Sequence, residues 1–154
     1  MKKILLSSLV ILALNVYATG EKNTLPRTVD TASQQKADSQ LKIQNNKIVK
    51  LVVEEISKKL PQKVDAYTQF TSIKSEGLTL VSIFEINTGS KSDEAVRNED
   101  KERMESFIIE GICQSSKRFL ESNINIRYVY KSANTKNELF SFAVTEKDCS
   151  SFRK

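Results

Sequence analysis

Apolar residues recur along this chain at two different periods, and the switch between them lays out the fold. Across residues 41–60, Val49, Val52, Val53, Ile56 and Leu60 return every three or four positions, while Lys50, Glu54, Glu55 and Lys58 occupy the other side. This predicts a helix with one buried face. Pro61 ends it, because proline removes a backbone donor and restricts the residue before it. Residues 67–74 and 78–87 are rich in Thr, Val, Ile and Phe and are joined by Ser75-Glu76-Gly77, which predicts a β-hairpin. Leu80, Phe84 and Ile86 share one side of its second strand, with Val81 and Ile83 on the other, as expected of a central strand.

A polar stretch over 88–98 leads into a second predicted helix that runs to about residue 122. Met104, Phe107, Ile108, Gly111, Ile112, Ser115 and Phe119 lie along one arc of it. Glu99 and Asp100 suit the positive end of its dipole. Gly111 costs about 1 kcal/mol against alanine inside a helix, so it is expected to mark close packing or a bend. Ile124, Ile126, Tyr128 and Tyr130 then alternate with Asn125, Arg127, Val129 and Lys131. Residues 139–145 follow, with Phe140, Phe142 and Val144 on one side, and complete a second hairpin.

The order helix, hairpin, helix, hairpin predicts an α+β domain over 41–154: a four-stranded antiparallel sheet with both helices on one face. Its other face is then free. Arg127, Val129 and Lys131 are expected to line that face as a mixed apolar and basic partner surface.

The N-terminus has a different character. Lys2 and Lys3 precede an apolar run from Ile4 to Val16, and Val16 and Ala18 fit the small-residue positions before a cleavage site. Residues 1–18 therefore read as a signal peptide cut after Ala18. The run is too short to cross roughly 30 Å of hydrocarbon as a helix, so no stable membrane anchor is expected after cleavage. No cysteine stands near the cut to accept a lipid. Residues 19–40, dominated by Thr, Ser, Gln, Lys, Asp and Asn, are expected to be a flexible polar leader.

Composition narrows the chemistry. The 154 residues include no histidine and no tryptophan, which removes the commonest general base, the commonest metal ligand and the best stacking platform for bases. Loss of Lys2 and Lys3 lowers the net charge from +5 to +3, and the remaining cations are interleaved with acids, so nucleic acid is not an expected partner. No cofactor or metal is expected. The acids Asp93, Glu94, Glu99, Asp100 and Glu102 are interrupted by Arg97 and Lys101 and lack the spacing of a calcium loop, and Ser115-Ser116-Lys117 lacks the surroundings of a nucleophile. Tyr128 and Tyr130 are read as core residues with wet hydroxyls.

Cys113 and Cys149 are the only cysteines. In an exported chain with no Cys-x-x-Cys and no histidine to activate a thiolate, they are expected to form a structural disulfide worth about 4 kcal/mol on the chain-entropy account.

Leu60-Pro61, Val64-Asp65, the cysteine-bearing helix, Ile126 to Tyr130, Phe140 to Val144 and Asp148-Cys149 together resemble small exported bacterial α+β proteins of uncharacterised function. The resemblance spans residues 41–149. It implies the fold and export but carries over no site. The expected function is a non-catalytic exported, periplasmic module that binds an envelope or secreted protein, as an inhibitor, an immunity factor or an assembly accessory. The alternative is a carrier of a small apolar ligand held between sheet and helices. A histidine-free hydrolase built on carboxylates would need two of them to converge in a cleft.

Overall fold

The computed structural model describes residues 31–152. The expected signal peptide, its cleavage point and the first part of the expected leader lie outside these residues.

Helix α1 (Thr31–Ser57) begins at Thr31 rather than at Leu41, so residues 31–40 continue the helix as an exposed extension. Three strands follow: β1 (Gln62–Lys63), β2 (Thr68–Glu76) and β3 (Thr79–Ile86). β2 and β3 form the expected hairpin around a two-residue turn, with Gly77 first in it at φ +60°. That is the left-handed region a side chain disfavours. Helix α2 (Asp93–Ser115) is capped by Ser92, whose hydroxyl accepts from the Ala95 amide at 3.2 Å. The chain breaks at Ser116 into a short α3 (Lys117–Glu121) and turns through Asn123 at φ 59°. Strands β4 (Asn125–Ser132) and β5 (Glu138–Val144) form the second hairpin, and a 3-10 turn (Lys147–Phe152) closes the described chain.

The sheet corrects the expected one in two respects. It has five strands, in the order β1-β2-β3-β4-β5, and it is mixed, because β3 and β4 are parallel while every other pair is antiparallel. The cause is the connection between β3 and β4. It carries α2 and α3 and returns the chain to the end where β3 began, so Thr79 pairs with Asn125. Two hairpins joined by a helical crossover meet in parallel. The fifth strand, β1, is two residues long and too short to show a period. The element order is therefore one helix, three strands, the α2-α3 pair and two strands.

Both long helices cover the same face, as expected. α1 lies over β2 and β3, and α2 lies over β5. One core cluster joins Val49 of α1 and Ile112 and Cys113 of α2 to Ile73, Leu80, Ile126 and Val144. A second gathers Phe84, Val96, Tyr130, Leu139, Phe140 and Phe142. In it the Phe84 ring stacks between Phe70 and Tyr130, with centroids at 4.8 and 4.9 Å. Tyr128 and Tyr130 belong to this core, and burial raises the pKa of both hydroxyls. The disulfide between Cys113 and Cys149 is formed, with Cα atoms 5.4 Å apart and both residues buried in the first cluster. It ties α2 to the turn that follows β5.

A candidate partner-binding groove

α1 does not bury all of its apolar residues. Val49 is fully covered, but Leu41, Ile48 and Leu51 are 45, 42 and 60 % exposed. On a 3.6-residue helix these three sit on one flank, beside the line of buried Asn45 and Val49 and half-buried Val52 and Ile56. Asn45 sets where that flank points. Its Nδ2 donates to the Ser122 carbonyl at 2.6 Å and fixes α1 against the end of α3.

Between α1 and α3 lies a cleft of about 570 Å³ lined by Ile48, Phe119 and Ile124 and bordered by Gln114, Lys117 and Arg118. Lys117 reaches Glu121 only at 3.8 Å, and the stretch from Leu41 to Leu51 carries three lysines and no acid. The border of this apolar cleft is therefore basic.

The side of α2 that supplies Gln114 to the cleft continues through Gly111 and Phe107 to Met104, Arg103 and Asp100, since these recur three or four residues apart. Phe107 is 72 % exposed, against its expected place on the buried arc. The helix changes the side it buries. Val96 and Ile112 are both buried, yet an ideal helix puts them roughly 160° apart. Phe107 shares the side of Val96 at a turn where the sheet is no longer beneath that side. A Cβ placed on Gly111 would meet nothing within 4 Å, so Gly111 marks neither close packing nor a break in α2. Further along, Asp100, Arg103 and Met104 line a second cleft of about 650 Å³ with Tyr67, Ile86, Val96 and Phe140. Both clefts open to solvent.

The structure places Arg127, Val129 and Lys131 together on the opposite face of β4, away from the described helices α1 and α2. Their exposed chemistry is limited. Val129 is 6 % exposed, and Val81, laterally paired with Lys74 and Arg127, is fully covered. Glu76 pairs with Lys74 at 2.9 Å and with Arg127 at 2.6 Å, so the charge of Arg127 is already paired. Those contacts hold the Glu76 carboxyl below its ordinary pKa, the hydrogen bond from Lys74 first and the Arg127 charge after it. The Arg127 Nε is buried without a partner.

The acidic run of α2 is divided among separate contacts. Asp93 Oδ2 accepts from Thr135 Oγ1 at 2.6 Å and from Asn137 Nδ2 at 3.1 Å, Glu99 pairs with Lys91, and Asp100 pairs with Arg103 at 2.6 Å. Among the described residues no three Asp, Glu, Cys or His side chains gather as metal ligands. No helix among them is long and apolar enough to cross a membrane.

Comparison with known proteins agrees with this architecture. The profile of a domain of unknown function, DUF8479, matches residues 27–140. The chain belongs to that family. No curated protein matches it in sequence. Three solved structures share the fold. One, from Pseudomonas aeruginosa and described as secreted, is 14 % identical with a TM-score of 0.62, over 71 % of this chain and 96 % of its own. The type 2 secretion system pilotin EpsS of Vibrio vulnificus is 14 % identical with a TM-score of 0.59, over 73 and 97 %. The type II secretion system pilotin AspS of Vibrio cholerae is 12 % identical with a TM-score of 0.53, over 73 and 99 %. At these identities the likeness is one of fold.

Proposed function

We propose that this protein is a non-catalytic, exported accessory of an envelope assembly that holds an amphipathic segment of a partner protein in the groove between α1 and the α2-α3 pair. The observation that carries the reading is the exposed apolar flank Leu41, Ile48 and Leu51 beside a cleft floored by Phe119 and Ile124. Ile48 lines the cleft and Leu41 and Leu51 extend its flank, while Ile43 is exposed on another side of α1; an apolar flank beside an apolar floor is what a helix-in-groove partner needs. The basic border favours a partner segment with acidic residues beside its apolar anchors.

Export is supported by the Lys2-Lys3 and Ile4 to Val16 signature and by a disulfide that a reducing compartment would not keep. Cleavage after Ala18 and a periplasmic location belong to the same proposal. The fold shared with two secretion-system pilotins supports the accessory role. The groove is preferred to the face carrying Arg127, Val129 and Lys131, because that face covers its valines and pairs its arginine.

Photocrosslinking in the native envelope tests this. A photoreactive residue at Leu51 or Phe107 is expected to trap one partner that the same residue at Lys131 does not. With the probe at Phe107, Ile48→Glu with Leu51→Glu should abolish the adduct and leave the thermal transition in place, since both side chains are exposed. Adducts from Lys131 alone would move the site to the open sheet face, and adducts unaffected by the double substitution would end the groove reading.

A further inference from the structure

The two margins of the sheet are built differently. On the first, β1 is only two residues long, and the part of β2 beyond it carries Lys74 and Glu76. Short strands and charges are the usual protection of an edge. On the second, no described strand lies beyond β5 in the sheet order, and its five residues Phe140 to Val144 contain no charge, no proline and no glycine. α2 lies over the strand, and one direct contact holds its start. Arg97 of α2 donates from Nε at 3.2 Å and from a guanidinium NH2 at 3.0 Å to the Glu138 carbonyl. Beside this clamp a trough of about 470 Å³, lined by Arg97, Asn98, Lys101 and residues 138–141, leaves the flank of the strand open.

We propose that the β5 edge pairs with the β5 edge of a second copy of this chain, antiparallel about a twofold axis at Phe142. That register puts Phe140 opposite Val144 and Ser141 opposite Ala143 in both halves of the pair. Side chains of Ser141 and Ala143 are exposed and small, so two backbones approach without steric conflict on the open face. No like charges face each other within the paired stretch, and Glu138 stays outside it with its Arg97 clamp intact. In that register each uncharged residue meets another uncharged one, large with large and small with small, in both halves of an isologous contact. This surface is separate from the groove between α1 and α2-α3.

The experiment uses the exported, disulfide-bonded protein. Sedimentation equilibrium from micromolar to millimolar concentration is expected to show a monomer-dimer equilibrium. Ser141→Lys with Ala143→Lys should raise its dissociation constant by at least roughly tenfold while the thermal transition is retained. Differently tagged Ser141→Cys and Ala143→Cys proteins, mixed and oxidised, should cross-link to each other more than either does to itself. A monomer at every concentration, or a dimer indifferent to the double lysine substitution, overturns the proposal. Ile48→Glu with Leu51→Glu should leave the dimer unchanged, so failure of the groove reading and failure of this one are read separately.

Discussion

Asn45 and Ser122, seventy-seven positions apart, are joined by one hydrogen bond from the Asn45 Nδ2 to the Ser122 carbonyl at 2.6 Å, and Asn45 is only 3 % exposed. This contact decides how α1 lies against α3, and so decides the width of the cleft between them. Asn45→Ala leaves the Ser122 carbonyl without its donor and is expected to cost about 1–3 kcal/mol. Urea unfolding measures the loss. Hydrogen exchange should show the excess opening in α1 and α3, with β3 and β4 unaffected; a uniform loss across the sheet would remove the positioning role assigned to Asn45.

The disulfide closes the far side of the same core. Cys113 and Cys149 are separated by 36 positions, and a loop of that size is worth about 4 kcal/mol in the chain-entropy account. Against a domain stability of roughly 5–15 kcal/mol this is a large share. Cys113→Ser with Cys149→Ser should lower the urea midpoint by a corresponding amount while near-native helix content persists at low temperature. An unchanged midpoint would mean that the core, and not the bond, holds the terminal turn to α2.

Much of this was legible in the residues, and the reasons for the exceptions are physical. Strand periodicity located both hairpins, and the Leu80, Phe84, Ile126, Tyr130 side is the one that faces the helices. The alternation of Ile126, Tyr128 and Tyr130 shows which side of β4 is buried but says nothing of its direction against β3, since side chains alternate in parallel and antiparallel pairs alike. Phe107 escaped because the arc argument assumes one buried side for a whole helix, and α2 buries Val96 on one side and Ile112 on another. The groove was hidden for a related reason. The predicted buried face runs through Val49, Val52, Val53, Ile56 and Leu60 and leaves out Ile48 and Leu51, and only the placement of α3 shows that a cleft stands beside Ile48.

Gly111 provides a test in the stabilising direction. It sits inside α2 at ordinary helical geometry, with open space around a Cβ. Gly111→Ala is therefore expected to stabilise the fold by up to about 1 kcal/mol through helix propensity. Gly77 gives the contrast. Its surroundings are equally open, but φ is +60°, so Gly77→Ala should destabilise by about 1 kcal/mol. Opposite shifts of the melting temperature check the pair, and shifts of the same sign would show that backbone conformation is not what separates them.

Acid should loosen the molecule at particular joints. Asp93 is held below its ordinary pKa of 3.8 chiefly by the Thr135 hydroxyl, with Asn137 adding to it. Asp148 is lowered by the side chain and then the backbone amide of Thr145, and Asp65 first by the amide of Tyr67. A carboxylate whose pKa is lower folded than unfolded contributes stability that is complete above the unfolded value and disappears as pH falls through the folded one. The loss should therefore begin near pH 4 and deepen below it. Asp93→Asn keeps the shape but discards the charge, so its stability should approach that of the parent protein at low pH and fall short of it at pH 7. Thermal unfolding from pH 2 to pH 7 measures both curves. If the gap between them does not widen with pH, the tie between the start of α2 and the β4-β5 turn does not depend on the Asp93 charge.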